Sequence, residues 1–327
     1  MTYACVRRTL IAATLLLAST AGAGSALAQT RVTLKSAAAG SSYYLMTVQL
    51  SEALRTATDG RIEPTVEESQ GSVQNVKEAV RRSGAFVFTS PPSLVRNAQQ
   101  GKAPFEGESG YDRIRVLFVM PPVTMHVVTR ADAEIDDITD LAGKSFIAGG
   151  RGSFTERQMQ QVFRTFGLDG EIDVPETELG AAANALRNRQ VDGFATGGSH
   201  PAAMVQELAA TMPIRLVGLT PGQIDTLMAA DPGLGPVTIP AGTYSGQDQP
   251  VETFGTPVGA YATAAMDDET AYLITRTVWE SIDEMAGRNP WWKAPAKEQV
   301  AQLGIPLHPG ALRYYDEAGV EIPESAR

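Results

Sequence analysis

Four polar turns of this chain place serine where a helix is expected to begin, a pattern that favours anion binding. They contain Ser41-Ser42, Ser72, Ser90 and Arg151-Gly152-Ser153. The first N–H groups of a helix lack intrahelical partners and the helix dipole is positive there, so such turns attract negative charge. Each serine alone could equally be an ordinary N-cap, worth about 1 kcal/mol of stability. The recurrence of the turns therefore predicts an anion site.

Arg151 is the residue of these turns best suited to hold a carboxylate. A guanidinium beside a helix start can make two parallel hydrogen bonds to a carboxylate, whereas a solvated surface arginine is the alternative. Tyr43 and Tyr44 follow the first turn. The helical spacing predicts that Tyr43 packs into the core of its own half, or lobe, of the protein and that Tyr44 faces the cleft that contains the anion site.

Catalytic and metal-binding patterns are not found in the sequence. His126, His200 and His308 are far apart and lack metal-ligand spacing. His126 lies in an apolar stretch that is predicted to be a strand, so we interpret it as a core or hinge residue. His308 lies between prolines, and we interpret it as a structural residue. His200 is better placed for a pocket, but adjacent Ser199-His200 is not a nucleophile–base pair, and no nucleotide-binding glycine motif occurs. We expect no catalytic residue, no metal and no cofactor.

The elements that must position these turns alternate short apolar strands with amphipathic helices. This order predicts an α/β protein with largely parallel sheets. Strands are expected at residues 31–37, 85–89, 114–120, 125–130 and 145–149.

A helix, buried strand, polar turn and helix occur in that order around residues 79–90 and again around 185–199, which indicates two related lobes. The chain should cross between them near residues 126–130 and 255–261. The predicted organisation is lobe I over 29–127, lobe II over 128–256 and a return to lobe I over 257–327.

The N-terminus has the features of a secretory signal peptide. Arg7 and Arg8 precede an apolar stretch over residues 10–18, and Ala26-Leu27-Ala28 forms a small-residue cleavage site. The stretch is short for a membrane span. We expect a signal peptide over residues 1–28 and a periplasmic location, by either the general or the twin-arginine route. Cys5, the one cysteine, falls within it, so no disulfide is expected.

The charge balance is acidic, with a formal net charge of −10. Removing residues 1–28 with their two arginines makes the rest more negative still. Nucleic acid and anionic membrane surfaces are therefore poor partners.

Several stretches resemble the TAXI family, the extracytoplasmic binding proteins of one class of tripartite ATP-independent periplasmic (TRAP) transporters. They are residues 70–75, 198–201, 238–248 and 305–311. The resemblance covers essentially the whole chain after the signal peptide. It implies a type II periplasmic-binding-protein-like fold, in which hinge strands join two α/β lobes around a ligand cleft. It also implies a small carboxylate ligand, such as a C4/C5 acid or a glutamate-like amino acid, and delivery to an ion-gradient-driven permease.

The resemblance also carries ligand contacts onto this chain by position. The turn at Ser41 matches a glycine-rich G-T-G-G-T-Y-Y segment, but Ala37-Ala38-Ala39 stands where the family usually has glycine. Arg151 likewise precedes its turn, where the common form is G-S-G-T-R. The complete predicted set is Ser41, Ser42, Tyr43, Tyr44, Gln70, Ser72, Ser90, Arg151, Gly152, Ser153, Phe154, Thr155, Gly198, Ser199 and His200.

These expectations together describe a monomeric, non-catalytic binding protein whose lobes close on a carboxylate. Three alternatives stay open: a component of an ABC importer or of a sensor kinase, a periplasmic enzyme on the same scaffold, and a structural surface protein. The enzyme would need clustered histidine or cysteine residues in the cleft.

Overall fold

The computed structural model describes residues 29–39, 41–175 and 177–327, so the predicted signal peptide lies outside the described residues. The strands are β1 (Thr30–Lys35), β2 (Ile62–Glu67), β3 (Ala85–Ser90), β4 (Ile114–Arg130), β5 (Phe146–Ile147), β6 (Gly193–Gly198), β7 (Ile214–Leu216), β8 (Gly235–Ile239) and β9 (Val251–Thr263). The helices are α1 (Ser42–Ala57), α2 (Ser72–Ala79), α3 (Pro92–Gln99), α4 (Phe154–Thr165), α5 (Ala182–Arg187), α6 (Ala203–Thr211), α7 (Pro221–Ala230), α8 (Asp268–Arg288) and α9 (Pro309–Glu317). Within the described ranges, no helix combines the length and apolar character of a membrane span.

The strands form one mixed sheet in the order β2-β1-β3-β9-β4-β6-β5, with β7 paired to β4 and β8 paired to β9. The parallel pairs are β1 with β2, β1 with β3, and β5 with β6. Every strand pairing of β4 and β9 is antiparallel. The expectation of largely parallel pairing therefore holds only away from these two long strands.

The two long strands connect two lobes because each changes partners along its length. The first half of β4 pairs with the last part of β9, which also pairs with β3. The second half of β4 pairs with β6 and β7, and the first part of β9 pairs with β8. Lobe I thus contains β1–β3 with α1–α3, α8 and α9, whereas lobe II contains β5–β8 with α4–α7.

The hinge in β4 contains two consecutive prolines. The sequence predicts separate strands at 114–120 and 125–130, but the structure has one strand of 17 residues that includes Pro121 and Pro122. Proline has no N–H for a ladder, and a register shift against β9 between Met120 and Val123 accommodates the pair. The change of partners thus lies a few residues before the predicted crossing at 126–130.

The predicted helix faces are confirmed by burial. On α1, Met46, Leu50 and Leu54 are buried, and on α4 the same holds for Met159 and Val162. These faces pack against the sheet, so each helix start is fixed at the edge where a strand ends.

Candidate functional site: the cleft between the lobes

A cleft of about 540 Å³ lies between the lobes. Lobe I lines it with the ends of β1 and β3 and the starts of α1, α2 and α3. Lobe II lines it with the turn before α4, the end of β6 and the start of α6. Val123 of β4 and Val258 of β9 contribute the hinge surface between them. The volume falls within the roughly 300–1,000 Å³ of small-molecule sites.

Five helices begin at this cleft, three from lobe I and two from lobe II. Their N-cap residues all line it: Ser41, Gly71, Pro91, Ser153 and Ala202. No side chain caps α2 or α6. Because the N–H groups and dipoles of these helices are directed at one space, the cleft favours a negatively charged group.

Three of the predicted helix starts differ in detail. Gly71, not Ser72, is the N-cap of α2, and Ser72 is its first helical residue. Pro91 and Pro92 begin α3, so Ser90 stays in β3. At α4 the serine of the predicted turn is the N-cap, because Ser153 Oγ accepts from Glu156 N, but the Glu156 carboxylate accepts from Gly152 N and so does not complete a capping box.

Three hydroxyl groups in the cleft wall belong to buried residues, make no hydrogen bond to another described residue and stay accessible from the cleft. They belong to Ser42, Thr155 and Thr196, which are 6%, 7% and 9% exposed. A hydroxyl that faces the cleft and has no protein partner can both donate to and accept from a ligand. Ser42 lies in lobe I and the two threonines lie in lobe II, which gives the cleft hydrogen-bonding groups on both sides.

Arg151 and Glu178 are the charged residues among the described lining, and both are exposed at the mouth. Arg151 also borders a smaller pocket of about 110 Å³ together with Glu156 and Thr177. The positions of Arg151 and Glu178 allow either charge to meet a ligand that enters. The predicted carboxylate clamp by Arg151 stays a prediction.

The lobes touch beside the cleft where glycine leaves space. A Cβ at Gly71 would lie 3.6 Å from Cα of Ser153, and one at Gly198 would lie 2.8 Å from Oγ of Ser42. Each contact joins lobe I to lobe II. A Cβ at Gly71 would make an ordinary van der Waals contact, whereas one at Gly198 would require Ser42 Oγ to move.

Comparison with known proteins gives this arrangement a family. Residues 34–319 match the model of the NMT1-like family. The chain belongs to the NMT1-like family. Its fold is similar to that of the periplasmic binding protein BugD, with a TM-score of 0.54, 14% identity, and coverage of 90% of this chain and 99% of BugD. MatC from Rhodopseudomonas palustris, solved with bound malate, gives a TM-score of 0.55, 14% identity, and coverage of 88% and 97%. A structure described as a periplasmic transporter gives 0.56, 14%, and coverage of 88% and 94%. The predicted α/β fold of two lobes, that of periplasmic binding proteins, is confirmed.

Ten predicted site residues line the cleft of this NMT1-like protein: Ser41, Ser42, Tyr43, Gln70, Ser72, Arg151, Ser153, Phe154, Thr155 and Gly198. Five do not: Tyr44, Ser90, Gly152, Ser199 and His200. The prediction that Tyr43 packs into its own lobe is confirmed by its burial in the core, but Tyr43 and not Tyr44 also lines the cleft. Its ring lies at the start of α1, between the core and the cleft.

Tyr43, Ser199 and His200 hold the hinge. The Tyr43 hydroxyl donates to the carbonyl of Pro121, and Ser199 Oγ donates to the carbonyl of Pro122 at 2.7 Å. His200 Nδ1 lies 2.8 Å from Thr124 Oγ1. Burial raises the pKa of Tyr43 above its usual range and lowers that of His200. Since Tyr43 belongs to lobe I and Ser199 to lobe II, both lobes bind adjacent carbonyls of the same interrupted strand.

The other two histidines are buried structural residues, as expected. His126 Nδ1 donates to the carbonyl of Thr124 at 3.1 Å, and its Nε2 accepts from the Tyr244 hydroxyl at 2.8 Å. That hydroxyl accepts from the N–H of Ala202 at 2.7 Å, so the bonds run from the start of α6 to the hinge. Burial lowers the pKa of His126 to about 4. His308 caps α9 by accepting from Gly310 N.

Several lining residues were not predicted from the sequence. Ser36 and Thr89 bond each other at 2.7 Å at the ends of β1 and β3, where the carboxyl-end rule for parallel strands could have located them. Asn75 of α2 donates to both backbone carbonyls of this pair and so holds the two strand ends together. Glu178 and Leu179 lie at the start of a short 3-10 helix, Leu179–Ala181, for which the sequence gave no pattern. Among the described residues, no group of three or more His, Cys, Asp or Glu side chains could hold a metal.

Proposed function

We propose that this NMT1-like protein is a periplasmic solute-binding protein. It captures a small carboxylate between its lobes and delivers it to an ion-gradient-driven TRAP permease. It acts as a monomer, without a cofactor and without catalysis. The observation that carries the proposal is the convergence on one cleft of five helix starts and three hydroxyl groups that bond no other described residue.

The division of these groups between the lobes supports capture by closure. A ligand shifts a conformational equilibrium only through contacts that differ between the two states. Ser42 contacts the ligand space from one lobe and Thr155 from the other, so a ligand bonded to both favours the closed arrangement. The contacts at Gly71 and Gly198 then belong to that closed arrangement.

The carboxylate and the permease are supported by two separate arguments. Helix starts and hydroxyls select an anion that accepts several hydrogen bonds, and the malate held by MatC is such an anion on the same fold. The resemblance of residues 70–75, 198–201, 238–248 and 305–311 to TAXI proteins favours a TRAP permease over an ABC importer. The described cleft lining contains no histidine or cysteine, which favours binding over an enzyme on this scaffold.

The test is ligand binding by protein stripped of any carried-over solute by unfolding and refolding. A ligand at about 100 times its dissociation constant adds roughly 2.7 kcal/mol to stability, so a carboxylate panel should give a clear rise in melting temperature. Sugars and amines serve as controls. Ser42→Ala and Thr155→Val should each weaken the carboxylate that binds.

A rise in melting temperature with sugars or amines, and none with any carboxylate, would refute the proposal of a carboxylate ligand. The permease is tested by adding the loaded protein to vesicles that contain TRAP permease subunits. Uptake that collapses with the ion gradient supports the proposal, whereas uptake that requires ATP contradicts it.

A further inference from the structure

Apolar side chains make up a large part of the cleft lining. Val123 and Val258 provide the hinge surface, and Phe154, Leu179 and Met204 line it from lobe II. Leu179 and Met204 are only half-buried and so retain surface for a ligand to cover. From this lining we infer that the ligand is a carboxylate with one charged end and a branched or aromatic apolar body. The inference rests on the proposed function and narrows it.

The wall at the first turn supports the same conclusion. Ala37, Ala38 and Ala39 all line the cleft, in the segment where the resemblance would place glycine. Each of these three alanines presents a methyl group and no hydrogen-bonding side chain. They make the lobe I wall more apolar, opposite the apolar side chains of lobe II.

The charges of the cleft agree with a ligand that carries one carboxylate. Arg151 is the one cationic side chain of the described lining, and it lies at the mouth beside Glu178. A second carboxylate directed at Val123 and Val258 would exchange most of its water for apolar surface, which is costly. A ligand with an apolar body in that position instead gains about fourfold in affinity for each methylene that it buries. The flexible, half-buried side chain of Met204 can adjust to the shape of that body.

The experiment is isothermal titration of the stripped protein with matched acids. Phenylpyruvate and 4-methyl-2-oxopentanoate are compared with 2-oxoglutarate, glutamate and malate, and phenylacetamide is compared with phenylacetate to test the need for the charge. We expect the apolar acids to bind at least tenfold more tightly than the dicarboxylates. Affinity should also rise along the series propanoate, butanoate and pentanoate.

Two variants locate the apolar contacts. The double variant Leu179→Asn with Met204→Gln should weaken the apolar acids at least tenfold and leave dicarboxylate binding within a factor of three. Leu45→Gln is the matched control, because Leu45 is an exposed leucine outside the cleft, and it should change neither.

The outcomes separate this inference from the proposed function. The inference of an apolar ligand body is wrong if dicarboxylates bind as tightly as the apolar acids, or if affinity does not rise with chain length. Either result leaves the carboxylate-binding role intact. If phenylacetamide binds as well as phenylacetate and no acid binds better, both the inference and the carboxylate proposal are wrong.

Discussion

Protonation of His126 should destabilise the protein as the pH falls. The ring is 1% exposed, and its pKa is lowered from an ordinary 6.5 to about 4, chiefly by burial and further by nearby His200. The groups bonded to it, Tyr244 and the Thr124 carbonyl, are neutral. In the unfolded chain the same imidazole takes up a proton near its ordinary pKa.

The sign follows from proton uptake by the two states. Between pH 6.5 and about 4 the unfolded chain binds a proton at position 126 and the folded chain does not, so stability falls with falling pH. At 1.36 kcal/mol per unit, His126 alone should lower the free energy of unfolding by about 3 kcal/mol between pH 7 and pH 4. Above pH 7 it should have no effect.

The assay is urea unfolding of wild-type protein and His126→Gln at pH 7 and pH 4.5, with the free energy obtained by linear extrapolation. Carboxylates titrate in both proteins, so the difference between the two losses isolates the histidine. The variant should lose about 2–3 kcal/mol less than wild type over this interval. Equal losses would show that His126 keeps an ordinary pKa and that the buried, neutral ring described above is wrong.

Three further changes test the cleft. Gly198→Ala places a Cβ 2.8 Å from Ser42 Oγ and should weaken ligand binding about tenfold, or about 1.4 kcal/mol, by hindering closure. Gly222→Ala is the control, because a Cβ there meets nothing within 4 Å. Equal ligand affinities of the two variants would contradict the closure contact. Asn75→Ala leaves the Ser36 and Thr89 carbonyls without their donor and should lower the free energy of unfolding by about 1–3 kcal/mol in urea titration, whereas no loss would mean water replaces the amide. Arg151→Ala should reduce carboxylate affinity by roughly tenfold or more in calorimetry, whereas Arg164→Ala should not. Unchanged binding in the Arg151→Ala variant would contradict the carboxylate clamp.

The fold and the helix starts could be predicted from local patterns. The stripe that includes Met46 and Leu50 marks α1 because a 3.6-residue period is a property of the helix itself. The serine turns were located correctly to within one residue. The start of α2 is shifted at Gly71 because glycine frees the backbone, and the start of α3 is shifted at Pro92 because proline fixes it. Both effects are stronger than the capping preference of a serine side chain.

The remaining site residues could not be predicted because they depend on which elements meet in space. Thr196 of β6 and Met204 of α6 line the cleft only because the fold places these two elements opposite lobe I, and neither residue belongs to a sequence pattern that indicates this. Tyr43 and Tyr44 were ordered by helical period alone, but Tyr43 also meets the carbonyl of Pro121, 78 residues away in sequence. Contacts between such distant positions leave no periodic trace in a single sequence.

The cleft and the hinge share the same two turns. The first places Ser42 in the cleft wall and the adjacent Tyr43 on the Pro121 carbonyl. The second places Gly198 against Ser42 and the adjacent Ser199 on the Pro122 carbonyl. Because consecutive residues perform the two tasks, a ligand that draws Ser42 and Gly198 together also fixes the two hydroxyls that hold the interrupted strand. We therefore expect Ser199, which does not line the cleft, to affect ligand binding through the hinge.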